Sequence, residues 1–333
     1  MTPSAVIFSS PGEVKIQQDP ALTPQGDQVL VKTRFSAISA GTELMIYRGE
    51  VPENTPLDLP ALSGMMEFPL RYGYSAVGEV VALGDTASSE LEGTAVFAFQ
   101  PHASHFLARA NELLPLPEGL SLESALFLPN METAVNFLHD GAPRVGERVV
   151  VFGQGVVGLL TAALLARIPL DSLVTVDHHS LRRATSLELG AHHALEPGEL
   201  LSSATVDRAD LSYELSGAPA ALSEALDVTG FGGRIVLGSW YGTRPVALDL
   251  GGRFHRNRIK LIGSQVSTLA PELTGRWDKR RRMRTAMGLI QEIHPERWIT
   301  HRFPLESAAD AYSLLANHPE HTLQVILTYE SES

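Results

Sequence analysis

Three glycines near the middle of the chain have the spacing of a phosphate-binding turn. An apolar run over 149–152 stops at Gly153, and Gly155 and Gly158 complete a G-x-G-x-x-G pattern before a helix-forming stretch. The first glycine permits a sharp turn, the second lets a pyrophosphate approach the backbone, and the third lets the helix pack closely on its strand. Free N–H groups at the helix start then face the phosphates. The pattern predicts a dinucleotide-binding loop formed by Gly153, Gln154, Gly155, Val156, Val157 and Gly158.

An acidic residue follows this loop at the separation that such a site requires. A second apolar run over 173–176 ends at Asp177, about 20 positions after the last glycine, where a carboxylate reaches the ribose hydroxyls. A 2′-phosphate would meet that negative charge, so NAD(H) is favoured over NADP(H) as the cofactor. His178 and Arg182 add positive charge beside it and are predicted to belong to the cofactor site. The alternatives are a solvated helix start, or arginines that accommodate a phosphate.

The loop and the acid need a scaffold of alternating strands and helices. Apolar runs predict strands at 148–152, 173–176, 210–214, 233–238 and 259–263, and helices that start at Val156, Leu181, Ala218 and Leu222. Such alternation indicates parallel strands joined by right-handed crossovers. We therefore expect a Rossmann domain with a doubly wound parallel sheet over residues 131–267.

The segments on either side of this domain have a different pattern, with short apolar runs between Pro, Gly and Asp residues. The elements expected there are strands at 5–8, 28–32, 76–84, 303–305 and 323–328, a Pro-rich loop at 50–64, and helices at 121–138, 277–293 and 308–316. Ser121 is the expected N-cap of the first of these helices. These segments predict a second, β-rich domain made of residues 1–130 and 268–333.

Composition excludes several classes of protein. The chain has 333 residues and a formal net charge of −12, which argues against non-specific nucleic-acid binding. No apolar run is long enough to span a bilayer, and the N-terminus lacks the pattern of a signal peptide, so we expect a cytoplasmic protein with no membrane partner. With 0 cysteines, disulfides, thiol catalysis, Fe–S clusters and thiolate zinc sites are excluded.

Short motifs spread over nearly the whole chain accompany the glycine loop. They are Gly41-Thr42-Glu43, Tyr72-Gly73-Tyr74-Ser75-Ala76-Val77-Gly78-Glu79-Val80, Gly93-Thr94-Ala95-Val96-Phe97, Glu132-Thr133-Ala134 and Phe303-Pro304-Leu305. In these motifs the sequence resembles the medium-chain dehydrogenase/reductase, or alcohol-dehydrogenase-like, superfamily. The resemblance implies an α/β protein with a GroES-like β-rich substrate domain, a Rossmann domain, and a C-terminal return to the first domain.

The resemblance also identifies the positions at which zinc members of the superfamily hold their catalytic metal. Matched by motif, these positions are Ala40, Tyr74, Ser75 and Pro129, which cannot replace a Cys/His ligand set. The cysteine-rich lobe that holds a structural zinc is missing too, because the chain runs straight on through 100–105. The sequence is therefore similar to zinc-free members, and most similar to the bacteriochlorophyllide dehydrogenase branch, from which no substrate is carried over.

Without zinc, a side chain or water must handle the proton that accompanies hydride transfer. Tyr74 is the leading candidate, because it stands where zinc members have a ligand histidine. To act as a base, its pKa of ~10 must be lowered by a neighbour such as Arg71. The alternative is a tyrosine that only lines the pocket.

The other catalytic candidates are Thr42, Glu43 and His102. Thr42 matches a hydroxyl that relays a proton in zinc members. The histidine that receives this proton in many of them is replaced here by Met45. A Thr42 hydroxyl that is bonded only to local backbone is therefore an equal alternative. Glu43 is either an acid that supports the site or an ordinary ion-pair partner. His102 is a candidate because histidine is the residue type suited to acid/base chemistry at neutral pH. Together with His105 it offers too few ligands to indicate a metal site.

The remaining assignments concern the cofactor and the substrate. Thr133, Ser216, Gly238 and Ser239 complete the expected cofactor-binding set. Glu132 faces either the nicotinamide or solvent. The basic run 279–284 binds either an anionic substrate group or, as we prefer, only solvent.

These observations lead to three hypotheses for the activity. The first is a zinc-independent, NAD(H)-dependent oxidoreductase that interconverts a secondary alcohol and a ketone. The alternatives are a reductase of an activated C=C bond that uses NAD(P)H, and a non-catalytic NAD-binding protein. The partners we expect are a bulky, partly apolar small molecule, suggested by Met45, Phe99 and Trp240, and a second copy of the chain that pairs at a sheet edge near 233–240.

Overall fold

The computed structural model describes residues 2–57, 59, 61–200 and 208–329. The chain divides into two compact units, one made of Met1–Pro129 with His294–Ser333 and the other of Asn130–Ile293. The division expected from the sequence placed 268–293 with the first domain, whereas its contacts place it in the second unit. One contact that joins this segment to the second unit is the bond from the buried Arg282 to Glu132.

The bounds of the elements are given in chain order. The strands are β1 (Ser4–Ser10), β2 (Glu13–Gln18), β3 (Gln28–Ile38), β4 (Ala76–Leu83), β5 (Ala95–Ala98), β6 (His105–Arg109), β7 (Leu113–Pro115), β8 (Arg148–Phe152), β9 (Ser172–Val176), β10 (His193–Leu195), β11 (Ala209–Glu214), β12 (Thr229–Leu237), β13 (Lys260–Gly263), β14 (Ile299–Pro304) and β15 (Gln324–Thr328). The α-helices are α1 (Thr42–Arg48), α2 (Leu122–Ala125), α3 (Leu128–Gly141), α4 (Val156–Leu165), α5 (Ser180–Glu188), α6 (Pro219–Val228), α7 (Lys279–Ile293) and α8 (Ala308–Asn317).

The first unit is β-rich and joins the two ends of the chain in one sheet. Its strand order is β14-β15-β3-β4-β5-β7, with β6 also paired to β3, and β1 and β2 form a separate hairpin. The C-terminal strand β15 runs antiparallel to β3, with Val325 opposite Ile38. One core cluster packs Val6 and Phe8 of β1 against Tyr312 of α8. The tail is therefore an integral part of this unit.

The second unit is built on the parallel sheet that the alternating pattern predicts. Its strand order is β10-β9-β8-β11-β12-β13, and every pair in it is parallel. The chain crosses from β8 to β9 on one side and later returns to β11 on the other side of β8. The carboxyl ends of β8 and β11 thus form the switch point, where doubly wound sheets bind their ligands. The predicted α/β fold is confirmed.

Three local predictions differ from the structure. The helix expected over 121–138 is split into α2 and α3, because the ring of Pro129 would collide with the carbonyl of Ala125 in a continuous helix; Ser121 does cap α2, accepting a bond from the N–H of Ser124 at 3.0 Å. The helix starts at Ala218 and Leu222 belong to the single helix α6. The short strand β10 has no clear apolar pattern and was not expected. Residues 58 and 60 of the expected 50–64 loop lie outside the described residues.

The position of the sheet edge is a further correction. The segment 233–240 was expected at an edge, but β12 lies between β11 and β13. The edge on that side is β13, whose Leu261 is 39% exposed. Strand β12 was misplaced because sequence order gives no direct measure of how many strands follow on the same side of the sheet.

Candidate active site

The three glycines of the loop after β8 have three different structural roles. Gly153 has φ +87°, and a Cβ there would lie 2.6 Å from the backbone of Ser216. A Cβ on Gly158 would collide with the carbonyl oxygen of Gly153, so this glycine lets α4 pack against the loop. A Cβ on Gly155 would meet nothing within 4 Å. Gly155 therefore borders open space at the N-terminus of α4, as the approach of a pyrophosphate requires.

Asp177 is anchored next to this loop at the end of β9. It is 8% exposed, and its Oδ2 accepts a 2.7 Å bond from the N–H of Gln154 while its Oδ1 accepts a 2.8 Å bond from the N–H of His179. Arg182 Nη1 lies 3.9 Å from Oδ2. Burial lowers the pKa of Arg182, and the charge of Asp177 opposes that shift. The two backbone donors hold the carboxylate in one orientation beside the glycine loop.

The ends of β11 and β12 bring the predicted residues Ser216, Gly238 and Ser239 together around a buried acid. Glu214 is fully buried, and its Oε1 accepts bonds from the N–H and the hydroxyl of Ser216 at 2.8 and 2.5 Å. Its Oε2 accepts a 2.8 Å bond from the hydroxyl of Tyr241. Ser239 accepts a 2.8 Å bond from the N–H of Gly217, and a Cβ on Gly238 would collide with Phe137.

Glu214 and Tyr241 were missed by sequence reasoning. The signal available for Glu214 was its position at the end of the expected strand 210–214, because a carboxylate buried at that point must collect hydrogen bonds. Nothing in the sequence relates Tyr241 to it. Of the other predicted cofactor residues, Thr133 lies on α3 and is partly exposed. Val156 and Val157 are the first two residues of α4.

Arg282 corrects the interpretation of the basic run 279–284 as a solvated helix face. This side chain is fully buried on the inner face of α7, while Arg280, Arg281 and Arg284 are exposed. Its Nε donates to Glu132 Oε1 at 3.0 Å, and its Nη1 donates to Asn136 Oδ1 at 2.5 Å. Burial raises the pKa of Glu132, and the charge of Arg282 opposes that shift. The pair ties α3 to α7, so Glu132 is an ion-pair partner.

In the first unit, Tyr74 is bonded to residues of the turn that opens α1. Its hydroxyl donates to Ser39 Oγ at 2.6 Å and also forms a hydrogen bond with the side chain of Thr42. Burial, with a smaller contribution from the nearby Glu43, raises the pKa of Tyr74 to about 12, although the hydrogen bonds with Ser39 and Thr42 oppose the shift. Thr42 is thus a partner of Tyr74, although the histidine that continues the relay in zinc members is still replaced by a buried Met45.

The expectation that a cation activates Tyr74 is wrong. Arg71 forms a bidentate ion pair with Asp19, with Nη1 2.7 Å from Oδ2 and Nη2 2.5 Å from Oδ1. The charge of Arg71 is balanced by Asp19. The pKa of Tyr74 is raised and not lowered. Tyr74 consequently keeps its proton at neutral pH and can donate a hydrogen bond, but it is a poor base.

Glu43 and His102, which were predicted as separate candidates, form one buried pair. Both side chains are fully buried, and His102 Nε2 lies 2.9 Å from Glu43 Oε2. The same oxygen accepts a 2.5 Å bond from the hydroxyl of Tyr312, and Glu43 Oε1 accepts a 3.0 Å bond from the N–H of Ser39. Glu43 therefore fixes the turn that carries Ser39 and Thr42.

The pair continues as a chain of hydrogen bonds. His102 Nδ1 is 2.7 Å from Ser36 Oγ, which is 2.7 Å from the hydroxyl of Tyr329. Gly73, with φ +131°, faces the imidazole, and a Cβ there would lie 3.0 Å from it. Sequence reasoning missed Tyr312 and Tyr329, because Tyr312 is 269 residues from Glu43 along the chain.

His105 and Phe99 have local partners. His105 Nδ1 lies 3.1 Å from Ser104 Oγ, and Phe99 packs edge-on against Phe97 with ring centroids 5.1 Å apart. Among the described residues, no group of three or more His, Asp or Glu side chains is arranged to hold a metal ion. No helix in the described part of the chain has both the length and the hydrophobicity that a bilayer crossing requires.

Comparison with known proteins places this geometry in a family. A family model described as zinc-binding dehydrogenase matches residues 156–290. The chain is 24% identical over 327 residues to D-guloside 3-dehydrogenase of Escherichia coli K12, covering 92% of this chain and 91% of the relative. It is 28% identical over 351 residues to 2-desacetyl-2-hydroxyethyl bacteriochlorophyllide A dehydrogenase of Cereibacter sphaeroides, covering 99% of each. The family model and these relatives support assignment of the chain to the medium-chain dehydrogenase/reductase superfamily. Because the relatives are named as dehydrogenases, they support an oxidoreductase.

Solved structures of dehydrogenases share the fold. An alcohol dehydrogenase (RspB) of Escherichia coli CFT073, complexed with NADH, has a TM-score of 0.79 at 20% identity, covering 98% of this chain and 99% of that one. A protein described as a zinc-binding dehydrogenase of Sinorhizobium meliloti 1021, bound to NADP, has a TM-score of 0.78 at 18% identity, with coverage of 98% and 99%. At these identities the likeness concerns the fold.

The residues present do not fit the zinc that the family description implies. At the positions that match the zinc ligands of the superfamily, the chain has Ala40, Tyr74, Ser75 and Pro129. Ser75 is buried and donates to the carbonyl of Leu126 at 2.7 Å. A methyl group, a protonated phenol, a bonded hydroxyl and a proline offer no thiolate or imidazole. We therefore derive no chemistry through a metal at these positions.

Proposed function

We propose that the protein is a zinc-independent, NAD(H)-dependent oxidoreductase that interconverts a secondary alcohol and a ketone. The observation that carries the proposal is Tyr74, a hydrogen-bond donor of raised pKa that replaces a zinc ligand and is bonded to Ser39 and Thr42. The relatives that match over most of the chain are named as dehydrogenases of a sugar derivative and of a hydroxyethyl compound. These names support an alcohol as the reduced form of the substrate.

The second unit would hold the nucleotide. The loop from Gly153 to Gly158 presents an open backbone surface and the N-terminus of α4 to a pyrophosphate. Asp177, held by two backbone donors, is placed to accept hydrogen bonds from a ribose. Its charge would oppose a 2′-phosphate, which favours NAD(H). When bound, this cofactor supplies or accepts the hydride.

The first unit would supply the proton. In the reduction of a ketone, Tyr74 donates a hydrogen bond to the carbonyl oxygen and then its phenolic proton, while the carbonyl carbon gains the hydride. A phenol transfers this proton readily, because an alkoxide is a much stronger base than a phenolate. Water then returns a proton to the tyrosinate, and the high pKa of Tyr74 makes that step favourable at neutral pH. Ser39 and Thr42 orient the hydroxyl throughout.

A substrate panel tests the proposal. The purified protein is assayed for NADH oxidation with secondary ketones and, separately, with enones, and its zinc content is measured by mass spectrometry. We expect turnover of ketones by protein that contains far less than one zinc ion per chain. Turnover of enones alone would instead indicate a reductase of C=C bonds, and NADH binding without turnover on either panel would indicate a non-catalytic protein. Zinc bound one per chain and required for activity would refute the zinc-independent mechanism.

A further inference from the structure

The turn that carries Asp177 contains a second arginine, Arg183, which the proposal above does not use. Its Nη1 donates to the carbonyl of Asp177 at 2.9 Å and to the carbonyl of His178 at 2.7 Å. Its Nη2 donates to Glu196 Oε1 at 2.6 Å. The guanidinium thus supports the backbone of the turn with one nitrogen and is held by a carboxylate with another.

The sheet fixes Glu196 beside this turn. It directly follows β10, which pairs in parallel with β9, so that Leu195 lies opposite Val176. The N–H of Asp177 donates to the carbonyl of Leu195 at 3.1 Å, and the N–H of Glu196 is bonded to Glu199 Oε2 at 2.8 Å. The side chain of Arg183 is 18% exposed and that of Glu196 is 57% exposed. Glu196 can therefore be replaced with little effect on the core.

We propose that the Arg183–Glu196 pair is a determinant of the preference for NAD(H) over NADP(H), an inference that rests on the proposed function. A site that accepts a 2′-phosphate needs an uncommitted cation beside the ribose. After Arg182, Arg183 is the arginine closest in sequence to Asp177. Glu196 holds its guanidinium and neutralises its charge. With that pair neutral, the charge of Asp177 remains to oppose a phosphate. Glu196 is thus a positioning residue, which acts on the nucleotide through Arg183.

Replacement of the carboxylate should release the arginine. We expect Glu196→Ala to lower the Kd for NADPH by about tenfold, the effect of ~1.4 kcal/mol, and to change the Kd for NADH by less than about twofold. The measurement is fluorescence titration of each nucleotide, with the melting temperature as a check on folding. Because the effect is electrostatic, the gain for NADPH should shrink between low and high salt.

Two further variants separate this pair from a general effect of charge. Glu188→Ala removes an exposed carboxylate at the far end of α5 and should leave the preference unchanged. The double variant Glu196→Ala/Arg183→Gln should lose the gain for NADPH, because the released cation is absent.

An unchanged ratio of the two Kd values in Glu196→Ala would overturn the inference, and so would an equal change in Glu188→Ala. In both cases the proposed function would stand, since NADH would still bind. If the unaltered protein bound neither nucleotide, the proposed function itself would fall together with this inference.

Discussion

At the scale of single residues, the proposed chemistry depends on which groups retain their protons. Burial and Glu43 raise the pKa of Tyr74 and of Tyr312, so both phenols stay neutral and donate hydrogen bonds. Glu43 collects donors from Tyr312, His102 and the backbone of Ser39. A buried carboxylate needs such donors, because an unpaired one would cost several kcal/mol. The network therefore holds the turn from which Thr42 and Ser39 orient Tyr74.

The substitution Tyr74→Phe removes the proposed donor with little change in shape. We expect kcat/KM for ketone reduction to fall by about 10² to 10⁴, the usual contribution of a general acid, while the Kd for NADH stays unchanged. Steady-state kinetics and nucleotide titration measure the two quantities. Tyr47→Phe, at a ring that stacks on Tyr312 with centroids 5.7 Å apart, is the control. A full rate in Tyr74→Phe would remove Tyr74 from the mechanism.

The raised pKa of Tyr74 also predicts a loss of stability in alkali. The phenol binds its proton more tightly in the folded state, with a pKa of about 12 against about 10 for an unperturbed tyrosine. Its contribution to stability is therefore complete below about pH 10 and is lost as the pH rises from about 10 to about 12. The contribution is roughly 2 to 3 kcal/mol. Urea unfolding across this range should show a shallower decline in Tyr74→Phe than in the unaltered protein. Parallel declines would contradict the assignment.

The sequence could identify Tyr74 but not its environment. The motif around 72–80 pointed to the residue, whereas the direction of its pKa shift depends on contacts that the motif does not encode. Arg71 is paired with Asp19, 52 positions away, and Glu43 is bonded to a tyrosine from the end of the chain. Long-range pairing of this kind leaves no local pattern.

At the scale of elements, the strand–loop–helix unit β8–α4 separates structural from functional glycines. Gly155 has φ −64° and ψ −179°, which other residues adopt, and it borders open space. Gly158 faces the carbonyl of Gly153. Replacement of Gly155 and of Gly158 should therefore have different effects, although both are glycines of the same motif.

We expect Gly155→Val to fold normally but to bind NADH at least tenfold more weakly, because the new side chain fills the space of the pyrophosphate. Gly158→Ala should instead lower the free energy of unfolding by about 1 to 3 kcal/mol, through the collision of its methyl group with the loop. Nucleotide titration and urea unfolding of both variants test this contrast. A stable Gly158→Ala protein, or a Gly155→Val protein with unchanged affinity, would show that the loop is assigned wrongly.

Most of the regular elements could be predicted because their patterns are local. The β-branched runs of β8 and β9 stop at Gly153 and Asp177, and the helices that follow them start where the hydrophobic period of the sequence changes. The break between α2 and α3 depends on one proline ring, and β10 on pairing with β9. Its residues, His193 to Leu195, have no strand pattern of their own.

At the scale of the whole molecule, the open edge of the parallel sheet is the feature with a consequence for assembly. Within the described residues, β13 ends the strand order of the second unit. Leu261 on this strand and Leu250 before it are 39% and 53% exposed. An unpaired strand edge offers N–H and C=O groups to another chain.

We predict a homodimer that forms through β13. Light scattering after gel filtration should give twice the monomer mass, and Leu261→Lys, which places a charge on the edge, should shift the protein toward the monomer. Phe231→Lys, at a residue that is 76% exposed on β12, serves as the matched control. A monomer at all concentrations would contradict the prediction.

The placement of β15 between β14 and β3 has a consequence for biosynthesis. The segment 130–293 is continuous, so it can fold as soon as it leaves the ribosome, whereas the amino-terminal half of the other sheet must wait for Tyr312 and for β15 to be translated. During that interval the carboxylate of Glu43 lacks one of its donors, Tyr312, and the part of β3 from Phe35 to Ile38 lacks its partner β15. Stalled nascent chains that end before 308 should therefore resist protease within 130–293 and be cleaved within the first 129 residues; uniform protection would show that the amino-terminal segment matures unaided.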